Sequence, residues 1–420
     1  MLLKNAKLYN NEYLKDIALR NGKIRRVSPA GDIAKNKDET VLDLEGKLVL
    51  PPYVEPHIHL DYVLTAGTPR WNKSGSVFEG IEIWSERRRL VKETKEDIKK
   101  RALQAVEMQL KHGLQYVRTH ADVSDPSLTG LKALLEVKEE VKAWMDLQIV
   151  ALPQEGMYTK EEGEGLLREA LELGADVVGG IPHYEMTRED GIQSLKTSLR
   201  LAREYDKLVD IHCDEIDDDQ ARYLETLAAE TIRSGMQGRV TASHTTAMAS
   251  YSNAYTYKLF QTLKKAGVHF VALPKANLHL QGRFDSHPVR RGITRVKELL
   301  EEDINVCFGL DSIMDPWYPL GDGDLMTVLD TGLHACHMTD YDHIVQALDL
   351  VTTNGAKTLG LQNYGIQEGN DANVIILDAD SDYEAVRTRA GVLYSIRNGD
   401  IIVETKPAVT SMTFSSGKSE

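Results

Sequence analysis

The chain has 420 residues, 42% of them hydrophobic and 27% charged, which is the make-up of a globular protein large enough for two domains or for one barrel with additions. Its formal net charge of −14 excludes an extended surface for nucleic-acid phosphates, because that affinity rests on clustered Lys and Arg. The three cysteines, Cys213, Cys307 and Cys336, contain no Cys-x-x-Cys, so neither a disulfide framework nor a thiolate zinc site is expected, and a reducing cytoplasm fits.

The first residues, MLLKNAKLYNNEYL, meet Lys and Asn too early for a signal-peptide apolar region, and no apolar stretch is long enough to cross a bilayer. A soluble, cytoplasmic protein without membrane or nucleic-acid partners is expected. Residues 1–50 hold short apolar runs broken by turn residues, with Asn21-Gly22 between two of them as a hairpin signal. Residues 363–408 have the same character around Asn398-Gly399. Both ends are expected to build one small β-sandwich domain, followed by a flexible Ser/Thr-rich tail at 409–420.

Residues 51–362 alternate buried-strand patterns with amphipathic helices. The first strand runs from Leu48–Leu50 through Pro51 and Pro52 to His57-Ile58-His59. A long helical region from Glu79 follows, and its second half opens on a Thr94-x-x-Asp97 capping box. Seven further strands are predicted over 115–120, 147–153, 176–181, 208–213, 240–244, 269–273 and 305–310. Helices between them are expected to start at Asp125-Pro126 and at Thr159-x-x-Glu162, and a long one to span 341–358. Eight strand-helix repeats predict an α/β fold, a closed (β/α)8 TIM barrel with its chemistry at the C-terminal ends of the strands.

Those ends carry unusual polar residues: His57-x-His59 after the first strand, His212 after the fifth, His244 after the sixth and Asp311 after the eighth. Any one of them could cap a helix or be a satisfied buried histidine. Five on one rim argue for a shared site. His57, His59, His212 and Asp311 supply three imidazoles and one carboxylate, a set suited to one divalent ion with a position left open for water.

The segments HIHLD, WNKSGSVFEGIE, VRTHADVSD, LQIVALPQEG, IPHYE, DIHCDEIDD, ASHTTAM, LHLQGRFD and DPWYPLG, spread nearly from end to end, resemble those of bacterial cytosine deaminases of the amidohydrolase superfamily. The resemblance implies a mononuclear site, Fe2+ or Zn2+, held by His57, His59, His212 and Asp311. It implies hydrolysis of cytosine or a 5-substituted cytosine to the corresponding uracil or thymine plus ammonia, and a homo-oligomer. After the fourth strand the chain reads Ile181-Pro182-His183-Tyr184-Glu185, without the lysine that bridges two ions in binuclear relatives. His183 and His120 read as structural.

Such chemistry needs an activated water, a proton for the ring nitrogen and a proton for the departing amine. The resemblance gives Glu215 the proton transfer to the ring nitrogen. Asp311 can take a proton from the water while ligating, and His244 can hydrogen-bond the attacking oxygen. Gln154 carries an amide that matches the O2 and N1–H edge of cytosine, and Trp317 would wall the ring. Asp214 and the acids at 217–219 read as a helix start. Arg283, Arg290 and Arg291 lie in the loop after the seventh strand, facing either a partner subunit or an anionic group.

One departure stands out. The relatives carry a second aspartate after the metal-binding one and a histidine before that pair, whereas this chain has Ser312 and Leu310. A smaller, uncharged Ser312 beside the pyrimidine C5 leaves room for a substituent, so 5-methylcytosine is expected to be accepted. Creatinine or isoguanine deamination by the same residues is the rival enzyme reading. A non-catalytic scaffold is disfavoured because the five rim residues and Glu215 are all retained.

Overall fold

The structure, a computed structural model, describes residues 1–37 and 39–412, so the expected tail lies outside the described residues from position 413 onward. Eight parallel strands, Tyr53–Ile58, Leu114–Asp122, Asp146–Leu152, Val177–Gly180, Leu208–Cys213, Val240–His244, His269–Ala272 and Val306–Phe308, pair in sequence order with helices between them. Leu114–Asp122 is buried along its whole length, as a strand must be when side chains fill the barrel inside and helices cover it outside.

The ring closes where Ile58 bridges Asp311 in parallel. Pairing continues through the loops beyond: Asp311 N–H donates to His57 O at 2.8 Å, His59 N–H to Asp311 O at 3.3 Å and Leu64 N–H to Ile313 O at 2.9 Å. Closure and three of the four predicted ligands, His57, His59 and Asp311, therefore share one stretch of backbone. Pro56 has no N–H to give the ladder here, and the register against the second strand shifts between Glu55 and Ile58. The buried Glu55 carboxylate fills the gap by accepting the N–H of His57 at 2.8 Å and of Leu310 at 3.0 Å.

A second sheet is built from both termini: Leu2–Leu8, Lys15–Arg20, Lys23–Pro29, Val41–Asp43, Leu48–Leu50, Val374–Leu377, Val392–Arg397 and Asp400–Glu404. The first half of Leu2–Leu8 pairs with Lys15–Arg20 and its second half with Leu48–Leu50. The strand thus links two half-sheets, and Leu3, Ile17, Val49, Val374 and Ile376 meet in one apolar cluster between them. At the hairpin turns Asn21, Gly22, Asn398 and Gly399 all have positive φ, as a tight two-residue turn requires.

Several local expectations are corrected. Leu48–Leu50 does not enter the first barrel strand but pairs with Leu2–Leu8 and Val374–Leu377, and the barrel strand starts at Tyr53 after the break at Pro51-Pro52. The Thr94 capping box is present with both of its hydrogen bonds. The helix expected from Asp125 begins at Thr129, because the Asp125 carboxylate is taken by Ser127 N–H and Oγ–H in a turn. The one expected from Thr159 begins at Gly163, since Thr159 Oγ1 donates to Glu155 O instead of capping. The long helix over 341–358 is three short pieces, Tyr341–Ile344, Ala347–Val351 and Thr353–Leu359. Among the described residues no helix is long and apolar enough to cross a membrane.

Candidate active site

Three of the four predicted ligands, His57, His59 and Asp311, form one group of ligand atoms close enough for a single ion, and His212 lies against it. His57 Nε2 and His59 Nε2 lie 3.7 and 3.6 Å from Asp311 Oδ1, and His212 Nε2 lies 3.2 Å from His59 Nε2, all four residues being buried. Two atoms each about 2.1 Å from one ion stand about 3.0 Å apart at a right angle and about 3.4 Å apart at the tetrahedral angle, so these spacings suit a common cation. His57 Nε2 has no hydrogen-bond partner among the described residues. Burial, and after it the neighbouring His120, hold the His57, His59 and His212 rings well below the usual imidazole range. The rings are therefore neutral, the form in which imidazole ligates.

His120 is drawn into this cluster although the sequence marks it as structural. Its ring centroid is 4.0 Å from that of His57, and with His57 and His212 it forms a second group of ligand atoms close enough for one ion. Its Nε2 is also 3.9 Å from Asp210 Oδ1, which draws the ring toward the barrel interior.

Glu215, His244 and Asp311 form a third such group beside the first. Burial, then the proximity of Asp311, push the Glu215 carboxyl well above the ordinary carboxylate range. Glu215 Oε1 is 3.2 Å from His244 Nδ1. Asn277 Nδ2 lies 3.1 Å from the same Nδ1, so that nitrogen sits between an amide and a carboxyl group. His244 Nε2 has no partner among the described residues. His244 and Asp311 have φ of 68° and 67°, a left-handed conformation that costs a non-glycine residue energy and turns both side chains out of simple strand alternation.

A cleft of about 320 Å3 reaches Glu215 from outside, with Val77, Phe78, Leu280 and Phe284 as apolar walls and Gln281 at one side. Gln154 lies two residues past the third strand, buried, with its Oε1 unpartnered among the described residues. Trp317 is tied to the histidines through Tyr62, which stacks on His59 at 4.5 Å and packs on Trp317 at 4.5 Å. Gly80 makes room for that indole: a Cβ at residue 80 would lie 2.6 Å from Trp317 Cδ1. Ser312 is buried directly after Asp311. Asp214 does serve a helix start, accepting the N–H of Tyr223 and of Leu224 at 3.0 Å each. Arg290 is committed to Asp285 at 2.6 Å, and Arg283 donates to His279 O.

Glu55, Tyr62 and Asn277 were not singled out from the sequence. Glu55 had a visible signal, being an acid inside an apolar run two positions before His57 and so on the same side of the strand. Asn277 had none, because it lies in the short helix Pro274–Leu280, which the sequence presents as a loop.

The model of the amidohydrolase family matches residues 40–403. The structure of 5-methylcytosine deaminase from Klebsiella pneumoniae liganded with 5-fluorocytosine is similar at a TM-score of 0.95 and 52% identity, covering 98% of this chain and 99% of that one. The N-isopropylammelide isopropyl amidohydrolase of Pseudomonas sp. (strain ADP) is 30% identical over 97% of this chain and 98% of its own length. The pterin deaminase of Rhizobium rhizogenes is 28% identical over 93% of this chain and 88% of its own.

Proposed function

We propose that this chain, which belongs to the amidohydrolase family, deaminates 5-methylcytosine to thymine and ammonia, with cytosine as a slower substrate. It is a hydrolase acting on C–N bonds. The observation that carries the reading is the buried trio of Glu215, His244 and Asp311 against His57 and His59, two carboxyl groups and an imidazole at the mouth of a histidine cluster.

One divalent ion, Fe2+ or Zn2+, held by His57, His59, His212 and Asp311, supplies the Lewis acid that makes water nucleophilic at neutral pH. Asp311 accepts a proton from the attacking water. Glu215 delivers one to the ring nitrogen beside the attacked carbon, which leaves that carbon more electrophilic. His244 hydrogen-bonds the oxygen arriving there, where negative charge develops; Asp311 then passes its proton to the exocyclic amine, which leaves as ammonia as the C–N bond breaks, and the proton of the new hydroxyl restores Glu215. The Gln154 amide pairs with O2 and N1–H, and Trp317 covers the ring. Ser312, uncharged and small, leaves the C5 substituent unopposed. The 52% identity with a 5-methylcytosine deaminase supports this choice of substrate.

The test is ammonia release from cytosine, 5-methylcytosine, creatinine and isoguanine, run beside a metal analysis of the same preparation. A higher kcat/KM for 5-methylcytosine than for cytosine is expected. Cytosine ahead by orders of magnitude would overturn the role given to Ser312. Activity on creatinine or isoguanine alone would overturn the pyrimidine reading.

A further inference from the structure

Beneath the histidine cluster the barrel interior holds a layer of charge where such barrels usually stack branched apolar side chains. Arg118 on the second barrel strand and Asp210 on the fifth are both fully buried, with Arg118 Nη1 3.0 Å from Asp210 Oδ2. Arg118 is bound on every side: Gln148 Oε1 accepts from it at 3.1 Å, Thr241 Oγ1 at 3.2 Å and Thr358 O at 3.0 Å. A buried ion pair is a weak source of stability, since desolvation offsets most of the attraction. Its position calls for another account.

The other carboxylate oxygen, Asp210 Oδ1, accepts the Ser243 hydroxyl at 2.7 Å, and Ser243 Oγ is 3.0 Å from His57 Nδ1. Proton counting then leaves one arrangement. Asp210, paired with Arg118, is an acceptor only, so the single hydroxyl proton of Ser243 points at it. Ser243 Oγ can only accept from His57, so His57 Nδ1 carries the ring proton and Nε2 carries the lone pair. Nε2 is the nitrogen that faces Asp311 and has no partner among the described residues.

We propose that Arg118, Asp210 and Ser243 form a buried relay that fixes the tautomer and ring orientation of His57, and that they are positioning residues for the ion the site holds. This rests on the metal-centre reading above. The relay spans four barrel strands, the first, second, fifth and sixth, so it also ties the ring to the strands on either side of the cluster. Positioning groups of this kind typically raise metal affinity by about 10- to 100-fold.

The test is zinc affinity by competition with a colorimetric chelator, on the full chain, for wild type, Ser243→Ala and Ser243→Thr. Ser243→Ala is expected to weaken zinc binding by about 10- to 100-fold while the melting temperature of the metal-stripped protein stays near wild type, and Ser243→Thr, which keeps a hydroxyl, to restore most of the affinity. An affinity of Ser243→Ala equal to wild type would overturn the relay. Wild type that binds no zinc would instead overturn the metal reading, so the two failures are distinct. A second measurement needs no relay variant: ring 15N shifts of the zinc-loaded wild type, with His57 assigned from its loss in His57→Gln. A protonated Nδ1 is expected, and a protonated Nε2 would overturn the proposal.

Discussion

Glu55 Oε2 accepts the backbone N–H of Leu310 at 3.0 Å while its Oε1 accepts that of His57 at 2.8 Å, so one buried carboxylate clasps the two strand ends that carry His57, His59 and Asp311. Glu55→Ala leaves both N–H groups buried and unpaired, at a cost of about 1–3 kcal/mol each. Chemical denaturation of the metal-stripped variant is expected to show a loss of about 2–6 kcal/mol. Its metal content should fall with it, because the loss loosens the seam where His57, His59 and Asp311 sit. Glu55→Gln retains one acceptor and is expected to fall between.

The ligand set and its rival separate by substitution. His57→Asn, His59→Asn, His212→Asn and Asp311→Asn are each expected to lose the bound ion, and removal of the ion by a chelator is expected to abolish ammonia release until metal is restored. His120→Asn is expected to keep one ion per chain. Metal analysis of the purified variants decides: a metal-free His120→Asn would move the centre to the group formed by His57, His120 and His212.

Glu215→Gln keeps the shape and removes the proton exchange. It is expected to retain the ion and to lose about 10^2–10^4 in kcat. Because burial and Asp311 push the Glu215 carboxyl up, its acid form persists toward neutral pH. The wild-type rate should fall on the alkaline side as that proton is lost, and steady-state rates across pH would show the limb weakened in Glu215→Gln.

Much of this architecture is legible in the sequence because its periodicity is local. The fifth and sixth barrel strands run over Leu208–Cys213 and Val240–His244, as predicted, since each is a short, mostly buried run with a histidine at its last or next-to-last position. The Thr94 box is readable because both of its partners lie within one turn. What sequence misses is set by distant partners. Leu48–Leu50 has the apolar content of a barrel strand, and only its pairing with Val374–Leu377 assigns it to the other sheet. Asn277 and His244 are 33 positions apart and meet only because adjacent strands of a closed ring bring them together. The relay from Arg118 to His57 is invisible for the same reason, since a buried arginine reads in sequence like any other charge.

Asp315 gives a stability prediction with a definite sign. Burial raises its carboxyl from 3.8 to about 7, against the hydrogen bonds it accepts from Tyr318 and Trp317 N–H. A carboxyl with a raised folded pKa binds more protons in the native state than in the unfolded chain. Its contribution is therefore complete below about pH 4 and is lost as pH rises through about 7. At about 1.4 kcal/mol per unit the loss reaches about 4 kcal/mol at most. Asp315→Asn keeps the acceptor oxygen without the ionisation. Its melting temperature is expected to exceed wild type at pH 8 and to match it at pH 4, and a variant no more stable than wild type at pH 8 would refute the assignment.

Ser312 offers the sharpest test of substrate choice, because it can be changed without touching a predicted ligand. It is buried directly after Asp311, in the loop whose backbone zips to the one after the first strand through Leu64 N–H and Ile313 O. Ser312→Asp restores the residue that the cytosine deaminases carry and sets a charged carboxylate where the 5-methyl group would lie. Burying a methyl group against a charge forfeits its transfer energy and strips the carboxylate of water, whereas cytosine presents only hydrogen there. One methyl group is worth about 1–3 kcal/mol in a fitted pocket, or about 10- to 200-fold in kcat/KM. The ratio of kcat/KM for 5-methylcytosine over cytosine is expected to fall by about that factor in Ser312→Asp. A ratio that does not move would place the 5-substituent against some other wall of the cleft.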